Sequence, residues 1–564
     1  MTKFNNLVTD EYSALDKYNP LKEYPFPHLK RLNFISLNGS WRYKIGRNQN
    51  DITSINEEII VPFAIESLAS GVQKRIKKGE YIFYKKTFKV NEHFLKKHTF
   101  ITFLGVDQSF KVIFNGSDLG EYIPLNMPTK IDISDFIKEK NELIVICKDD
   151  LSSLYPLGKQ SKKPKGIFYT PFSGIYYPVI IESFDEDYIK DVKIKTTLDT
   201  VNIDIDSSSD YFEIIIKEKD KVIIKEITSQ KNLSYKIDNP ILWDTNNPFL
   251  YDIEIKTKKD RITSYFALRE ITLKDGFFYL NNKKIFVNGV LDQGYYPEGI
   301  ITPITYASYE KDILAMKELG FNTLRKHIKV ELPYFYYLCD KLGMLVLQDF
   351  VNNGKYNFFT DTALPTIGKQ VKNDKNANKN IIQRDNFIKC GEKLIEYLSH
   401  FPSIIGYTIF NEGWGQFDSE ATYKHFKSLY PNLIFDTASG WYRGASSDIE
   451  SFHWYFKNID KIKDATHPIF ISEFGALCYK QKNHCYGNRH VFGYKYFNSI
   501  EEVENAFISL YEEKVIPYKD KLIGTIYTQL SDVEEEDNGL LTYDRKILKL
   551  SKEKVQNVLK KLNN

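Results

Sequence analysis

Two carboxylates stand out by their settings. In IIGYTIFNEGWGQFD (404–418) a largely apolar run ends on Asn411-Glu412, with Gly413 and Trp414 directly after, and in PIFISEFGA (468–476) another apolar run ends on Glu473. One glutamate at a strand end reads as readily as an ion pair or a helix cap. A pair brought to one rim is what cleavage of a glycosidic bond needs. One carboxyl group protonates the leaving oxygen, and the other attacks the anomeric carbon or activates water.

A barrel would bring them to one rim. From about residue 271 the pattern is strand, loop, helix, repeated, with candidate strands at 285–291, 322–327, 344–349, 404–412, 433–440, 450–455, 468–475 and 522–530. Amphipathic segments at 308–320, 333–343 and 499–515 separate several of them. This is the count and size of a (β/α)8 TIM barrel, whose active sites lie at the carboxyl ends of the strands. Glu412 then closes the fourth strand and Glu473 the seventh.

Upstream the helical period almost vanishes. Runs such as YIFYKKTFKV (81–90), HTFITFLGV (98–106) and NELIVICKD (141–149) are rich in β-branched and aromatic residues, with turns such as Asn115-Gly116 between some of them. A second set, at 191–198, 201–206, 211–227 and 249–257, predicts a small sandwich. The expected division is 1–184, 185–270 and 271–564.

A chain of 564 residues has room for several domains, and 27% charged against 42% hydrophobic residues is an ordinary globular balance. The 39 Tyr and 39 Phe fit packed aromatic strands first and a carbohydrate or aromatic ligand second. The net charge of +3 comes from intermixed basic and acidic residues, which argues against nucleic acid or an anionic membrane as partner. The Lys-rich run 369–380 is diluted by Asn and by Asp374 and reads as a solvated loop. The amino terminus lacks the apolar core of a signal peptide, and no stretch approaches the ~18 apolar residues of a membrane span. Five cysteines without a CxxC pair suggest free thiols in a reducing cytoplasm. Cys478, His484 and Cys485 lack a second ligand pair, so no metal is expected. No nucleotide, flavin or pyridoxal motif is visible, so no cofactor is expected either.

Nearly the whole chain resembles glycoside hydrolase family 2, which groups β-galactosidases, β-glucuronidases and β-mannosidases. LNGSWRY (37–43), VPFAIES (61–67), YKKTF (84–88) and SGIYYPV (173–179) resemble the family's amino-terminal sugar-binding jelly roll, and LWDTNNPFLY (242–251) and FALRE (266–270) its immunoglobulin-like β-sandwich. In the barrel the resemblance rests on N-x-x-R at Asn322–Arg325, CDKLGMLVLQD (339–349), Asn411-Glu412 and SEFG at 472–475. It implies a multidomain retaining exo-β-glycosidase acting on terminal β-linked sugars, with Glu412 as acid/base and Glu473 as nucleophile. A nearby charge on Glu473 would favour the protonated form of Glu412 before the glycosyl ester forms, and its loss afterwards would free Glu412 to act as base.

Supporting residues follow from the same resemblance. Asn411 would bond the sugar 2-hydroxyl, Arg325 would pair with Glu473, and His453 and Tyr455 resemble an H-x-Y element in which the tyrosine donates to the nucleophile. Trp414 and Trp441 would each either stack on a sugar or fill the core. Asp292 and Asp349 would either bind sugar hydroxyls or cap loops. Tyr527 and Gln529 on the eighth strand complete the set. The acidic run SDVEEED (531–537) reads as a solvated lip, since its spacing does not fit a calcium loop.

Departures bear on the sugar. After N-x-x-R this chain has Lys326-His327-Ile328-Lys329 where familiar members have Ser-His-Tyr-Pro, and no N-x-K element follows SEFG, where β-glucuronidases hold the sugar carboxylate. Glucuronide specificity is therefore disfavoured and a neutral sugar favoured, β-galactoside first, with β-glucoside, β-mannoside or β-glucuronide behind. Lys480, Lys482 or Arg489, in the segment 476–499 expected to wall the site, could still receive an acidic one. A homo-oligomer is compatible with the chain. The reading of another class, a catalytically silent carbohydrate-binding protein, expects one of the two glutamates to be lost, and both are present.

Overall fold

The computed structural model describes residues 7–357, 359–364, 374–440, 444–455, 467–487 and 495–562. Its amino-terminal part is a β-sandwich of jelly-roll type. A six-stranded sheet built around Gly39–Gly46, Tyr81–Lys89, Lys140–Lys148 and Ser109–Phe114 faces a four-stranded sheet containing His98–Phe103 and Val179–Phe184. Between them lie Trp41, Tyr84, Phe103, Phe110, Val145 and Ile181, the inward set of alternating strands. The expected strand 211–227 is a hairpin of Phe212–Glu218 and Lys221–Thr228, turned at Lys219 with φ 53°. It belongs to the second sandwich, where it pairs with Tyr251–Lys256 and faces a three-stranded sheet.

The rest is a barrel. Its strands are β1 (Val287–Asp292), β2 (Thr323–Lys326), β3 (Leu345–Asp349), β4 (Ile404–Asn411), β5 (Phe435–Ser439), β6 (Ser451–Trp454), β7 (Ile469–Gly475) and β8 (Leu522–Thr528). Every ladder between them is parallel, in the order β5-β4-β3-β2-β1-β8-β7-β6. The first and last of that order stand beside each other, so the sheet is nearly closed.

Among the described residues the α-helices are α1 (Tyr306–Leu319), α2 (Pro333–Leu342), α3 (Ile381–Leu398), α4 (Ser419–Leu429), α5 (Ile500–Lys514) and α6 (Lys552–Leu559). α5 opens on a capping box, in which Ser499 Oγ accepts from Glu502 N and Glu502 in turn accepts from Asn498 N. α3 opens on Asn380, whose side chain accepts from Ile382 N and Gln383 N.

Alternation decides what each strand residue meets. Leu291, Leu347, Ile405, Ile434, Phe470 and Ile523 fill the lower barrel under Trp243 and Phe278. Val290, Leu324, Val346, Phe410 and Phe474 face the helices. Each such side chain contributes roughly 1.5–3 kcal/mol when fully buried. With the lower interior apolar, the polar interior residues gather at the carboxyl end.

Candidate active site

Arg325, on β2, is fully buried and lies at the centre of the interior polar group. Its Nε and Nη2 donate to the two oxygens of Asp349 at 2.9 and 3.1 Å, Nη1 to Glu473 Oε1 at 3.0 Å and to the Ser472 carbonyl at 2.9 Å, and Nη2 also to Asn411 Oδ1 at 2.8 Å. The ends of β3, β4 and β7 are thereby tied to one guanidinium on β2. Such a fork fits carboxylates two oxygens at a time.

Glu473 has two further donors. Tyr455 Oη donates to Oε2 at 2.6 Å and also meets Thr528 Oγ1 at 3.0 Å, while His453 Nε2 lies 3.3 Å from Oε1. Burial alone would raise the proton affinity of Glu473. His453 and Arg325, followed by His327 and Tyr455, outweigh it and hold the carboxyl at about 2. Asp349 is likewise held below the ordinary range, because Arg325 and His327 outweigh its burial.

Glu412 follows β4 in an uncommon backbone conformation, φ 53°. A left-handed non-glycine residue costs on the order of 1–3 kcal/mol, and such strain gathers at functional sites. The turn is fixed by Glu412 N donating to the Ser439 carbonyl at 2.9 Å and by Trp414 N donating to the Asn411 carbonyl at 3.1 Å. Gly415 completes it at φ 72°, where a Cβ would lie 2.0 Å from the Asn353 carbonyl oxygen, so glycine at 415 is a steric requirement. Glu412 stays about a quarter exposed, and His453 Nδ1 meets its Oε1 at 2.8 Å.

His453 therefore stands between the two glutamates, one ring nitrogen to each. Donor atoms of Glu412, His453 and Glu473 all lie within 4.8 Å of one another. Among the described residues this trio is where a metal could be held. The ring turns a different nitrogen to each carboxylate, however, so one ion shared by all three would have to break one of those contacts. Cys478 and His484 are engaged separately, with the Ala476 carbonyl and Asp544.

The family model described as "Glycosyl hydrolases family 2, TIM barrel domain" matches residues 271–563, and that described as "Glycosyl hydrolases family 2" matches 180–269. The chain belongs to glycosyl hydrolases family 2. Similar relatives include a β-galactosidase of Staphylococcus xylosus, 27% identical over 59% of this chain and 33% of that one. Another, from Thermoanaerobacterium thermosulfurigenes, is 29% identical over 47% of this chain and 40% of that one. The chain thus spans about a third to two fifths of the length of these curated relatives. Among solved structures, a β-glucuronidase of an uncultured Clostridium sp. superposes with a TM-score of 0.76 at 18% identity, covering 96% of this chain and 100% of that one.

Within this family 2 barrel the structure brings Glu412, Glu473, Asn411, Arg325, Asp349, His453 and Tyr455 together and places five others apart from them or outside the described set. Asp292 points the other way, since its register partner is Lys326, the outward neighbour of Arg325. It meets Lys326 Nζ at 2.5 Å, and Lys326 and Lys329 also hold buried Glu331 at 2.9 and 2.6 Å. The Lys326–Lys329 departure is thus absorbed largely by a buried ion cluster beside the helices. Tyr527 packs outward against Phe474 and Phe507. Trp414 is buried at 7% exposure, with its ring edge-on to Phe168 and Tyr356. Trp441 lies outside the described residues, as do Arg489 and the start of the Lys-rich run. Gln529 is buried and donates to Asn538 Oδ1.

The acidic run 531–537 is not a solvated lip. Every residue in it except Glu535 is buried, because the amino-terminal sandwich sits on it. Glu534 accepts from Thr170 N at 2.7 Å, Glu535 from Gly166 N at 3.1 Å, Glu536 from Tyr169 Oη, and Asp532 pairs with Lys549 at 2.6 Å. Lys480, 3.5 Å from Asp537, is already engaged, whereas Lys482 is exposed on a turn.

Residues missed in the sequence include His327, Ser439 and Ser472. His327 Nδ1 meets Asp349 Oδ2 at 2.7 Å and lies 4.0 Å from Glu473 Oε1. Its position two residues after Arg325, on the same face of an extended strand, was the available signal. Ser439 Oγ bridges His453 Nε2 and Ser472 Oγ at 3.1 and 2.7 Å.

Proposed function

We propose that this protein is a retaining exo-β-glycosidase that removes terminal β-linked sugars, with Glu473 as nucleophile and Glu412 as acid/base. The observation that carries the reading is the spacing. Carboxylate oxygens of Glu412 and Glu473 lie within 4.8 Å of each other. Retaining pairs stand about 5–5.5 Å apart and inverting pairs about 6.5–9.5 Å, which leave room for a water.

In the first step ionised Glu473 attacks the anomeric carbon while Glu412 gives its proton to the glycosidic oxygen, so the aglycone leaves as an alcohol and a glycosyl ester remains. In the second, Glu412 takes a proton from water, the water oxygen attacks the same carbon, and Glu473 departs as a carboxylate. Arg325 and Tyr455, already on Glu473, accommodate the charge that leaves and returns. His453, in contact with both glutamates, holds their separation while the proton on Glu412 changes hands. Asn411, held by Arg325, is set to meet the 2-hydroxyl. Among neutral glycones the expected order is β-galactoside, then β-mannoside and β-glucoside, with β-glucuronide as the acidic alternative. Five free thiols suit a reducing cytoplasm as the place of action.

The test is release of nitrophenol from aryl β-galactoside, β-glucoside, β-mannoside and β-glucuronide, with proton NMR of the first-formed sugar. Turnover with a β-anomeric product, absent in Glu473→Ala, is expected. An α-anomeric first product would overturn the double displacement.

A further inference from the structure

One element takes no part in the reading above although it crosses the barrel mouth. The segment 152–170 of the amino-terminal sandwich lies on the loops that follow β3, β4 and β8, and its Tyr169 ring lies against that of Tyr295, after β1. Gly354 N donates to the Ser153 carbonyl at 2.9 Å, and Leu157 N to the Asn352 carbonyl at 2.8 Å. Phe168 lies 5.2 Å from the Trp414 ring, and Tyr169 4.8 Å from that of Tyr295. The acidic run after β8 holds Gly166, Tyr169 and Thr170.

Within that segment Gly158 comes so close to the strand after Arg325 that a Cβ on it would sit 3.1 Å from the Ile328 carbonyl oxygen. The next residue, Lys159, thus follows a backbone packed against the residue after His327. Burial and then the Lys159 ammonium push the His327 imidazole below its ordinary range, and that ring lies 4.0 Å from Glu473. Four other cations near this end of the barrel have carboxylate partners: Lys326 has Asp292, Lys480 has Asp537, Lys549 has Asp532 and Arg545 has Asp312. Half-buried Lys159 has no ion pair among the described residues and stands over the Tyr169 ring at 5.6 Å.

We propose that Lys159 is a specificity-determining residue that binds an anionic oxygen group on the sugar held at Glu473, the carboxylate of a uronic acid or a sulfate or phosphate ester. This rests on the glycosidase reading and fixes the substrate class of that same site. The lack of an N-x-K element argues against an acidic sugar only if the cation must come from the barrel. Here a lysine from another domain stands at the same rim. His327, by the nucleophile, marks the glycone side, whereas Glu412 marks the side where the aglycone leaves. A half-buried ammonium with no carboxylate of its own gains a charge-assisted hydrogen bond when such a sugar enters.

The experiment compares kcat/KM of the full chain on aryl β-glucuronide and β-galacturonide, on 6-sulfated and 6-phosphorylated β-galactosides, and on neutral β-galactoside and β-glucoside. It uses the wild type, Lys159→Met and Lys159→Arg, each checked by thermal unfolding. The wild type is expected to prefer one of the anionic classes. In Lys159→Met its preference over the neutral sugar falls on the order of a hundredfold, mainly through KM, and Lys159→Arg recovers part of it. Preference for the uronides identifies the carboxylate as the source, and preference for the esters identifies sulfate or phosphate. An equal loss on neutral and anionic substrates, or turnover of neutral sugars alone, overturns the role of Lys159 and leaves the glycosidase standing. Silence of folded wild type on every substrate overturns both.

Discussion

Glu473 and Glu534 are equally buried, 5% exposed each, and both lie at the carboxyl end of the barrel, one on β7 and the other just after β8. Burial raises the proton affinity of both. Around Glu473 a guanidinium, an imidazole and a phenol reverse the effect and hold it at about 2. Around Glu534 burial prevails, the main opposing contact is Thr170, and the carboxyl sits at about 7. Asp532 and Asp537 nearby are raised in the same way, to about 6 and about 7. Neither residue type nor depth decides what a buried carboxylate does. Donors with full charge keep one ionised, as the proposed nucleophile must be, and a neutral backbone donor leaves the other at a seam between domains.

The sharpest way to break this contrast is to remove each carboxylate. Glu473→Ala should lower kcat by at least about 10⁴ with little change in unfolding temperature. A loss under tenfold on any substrate would remove it as nucleophile. Next in size is Glu412→Ala, which should cost on the order of 10²–10⁴ on alkyl glycosides and far less on nitrophenyl glycosides, whose leaving groups need no proton. Equal losses on both would argue against an acid role.

Arg325→Met tests the cation that separates the two regions. It leaves Asp349 and Glu473 without their shared partner, and removal of one member of a buried ion group costs about 3–5 kcal/mol, readable by urea unfolding. It also acts on pH. The depressed proton affinity of Glu473 in the folded protein gives stability that is present above the unfolded value near 4.3 and is lost as pH falls towards about 2. Without Arg325 that window narrows, since His453, His327 and Tyr455 remain, and the acid limb of kcat/KM should move upward. An unmoved limb would assign it to another group.

The barrel was legible because its signals are local. Eight apolar runs and two glutamates at strand ends need no knowledge of distant neighbours. Alternation could also have placed Asp292, one step beyond inward Leu291, and Tyr527, level with outward Val290. The acidic run 531–537 was not legible. Its charges imply water only when nothing covers them, and the cover comes from residues 166–170, more than 360 positions away. Lys159 was hidden for the same reason.

The smallest effect belongs to Glu534→Gln. The amide oxygen keeps the acceptor for Thr170 N, and the group can no longer ionise. In the wild type the folded value of about 7 exceeds the unfolded value near 4.3, so the stabilisation is complete below about pH 4 and is lost as pH rises through 7. Asp532 and Asp537 titrate with the same sign. The thermal midpoint of the wild type should therefore fall between pH 5 and pH 8. Glu534→Gln should flatten part of that fall, with a gain of about 1 kcal/mol or less at pH 8 and no gain at pH 5. A variant less stable than wild type at pH 8 would mean that the ionised carboxylate, rather than a neutral acceptor, holds the amino-terminal sandwich to the barrel.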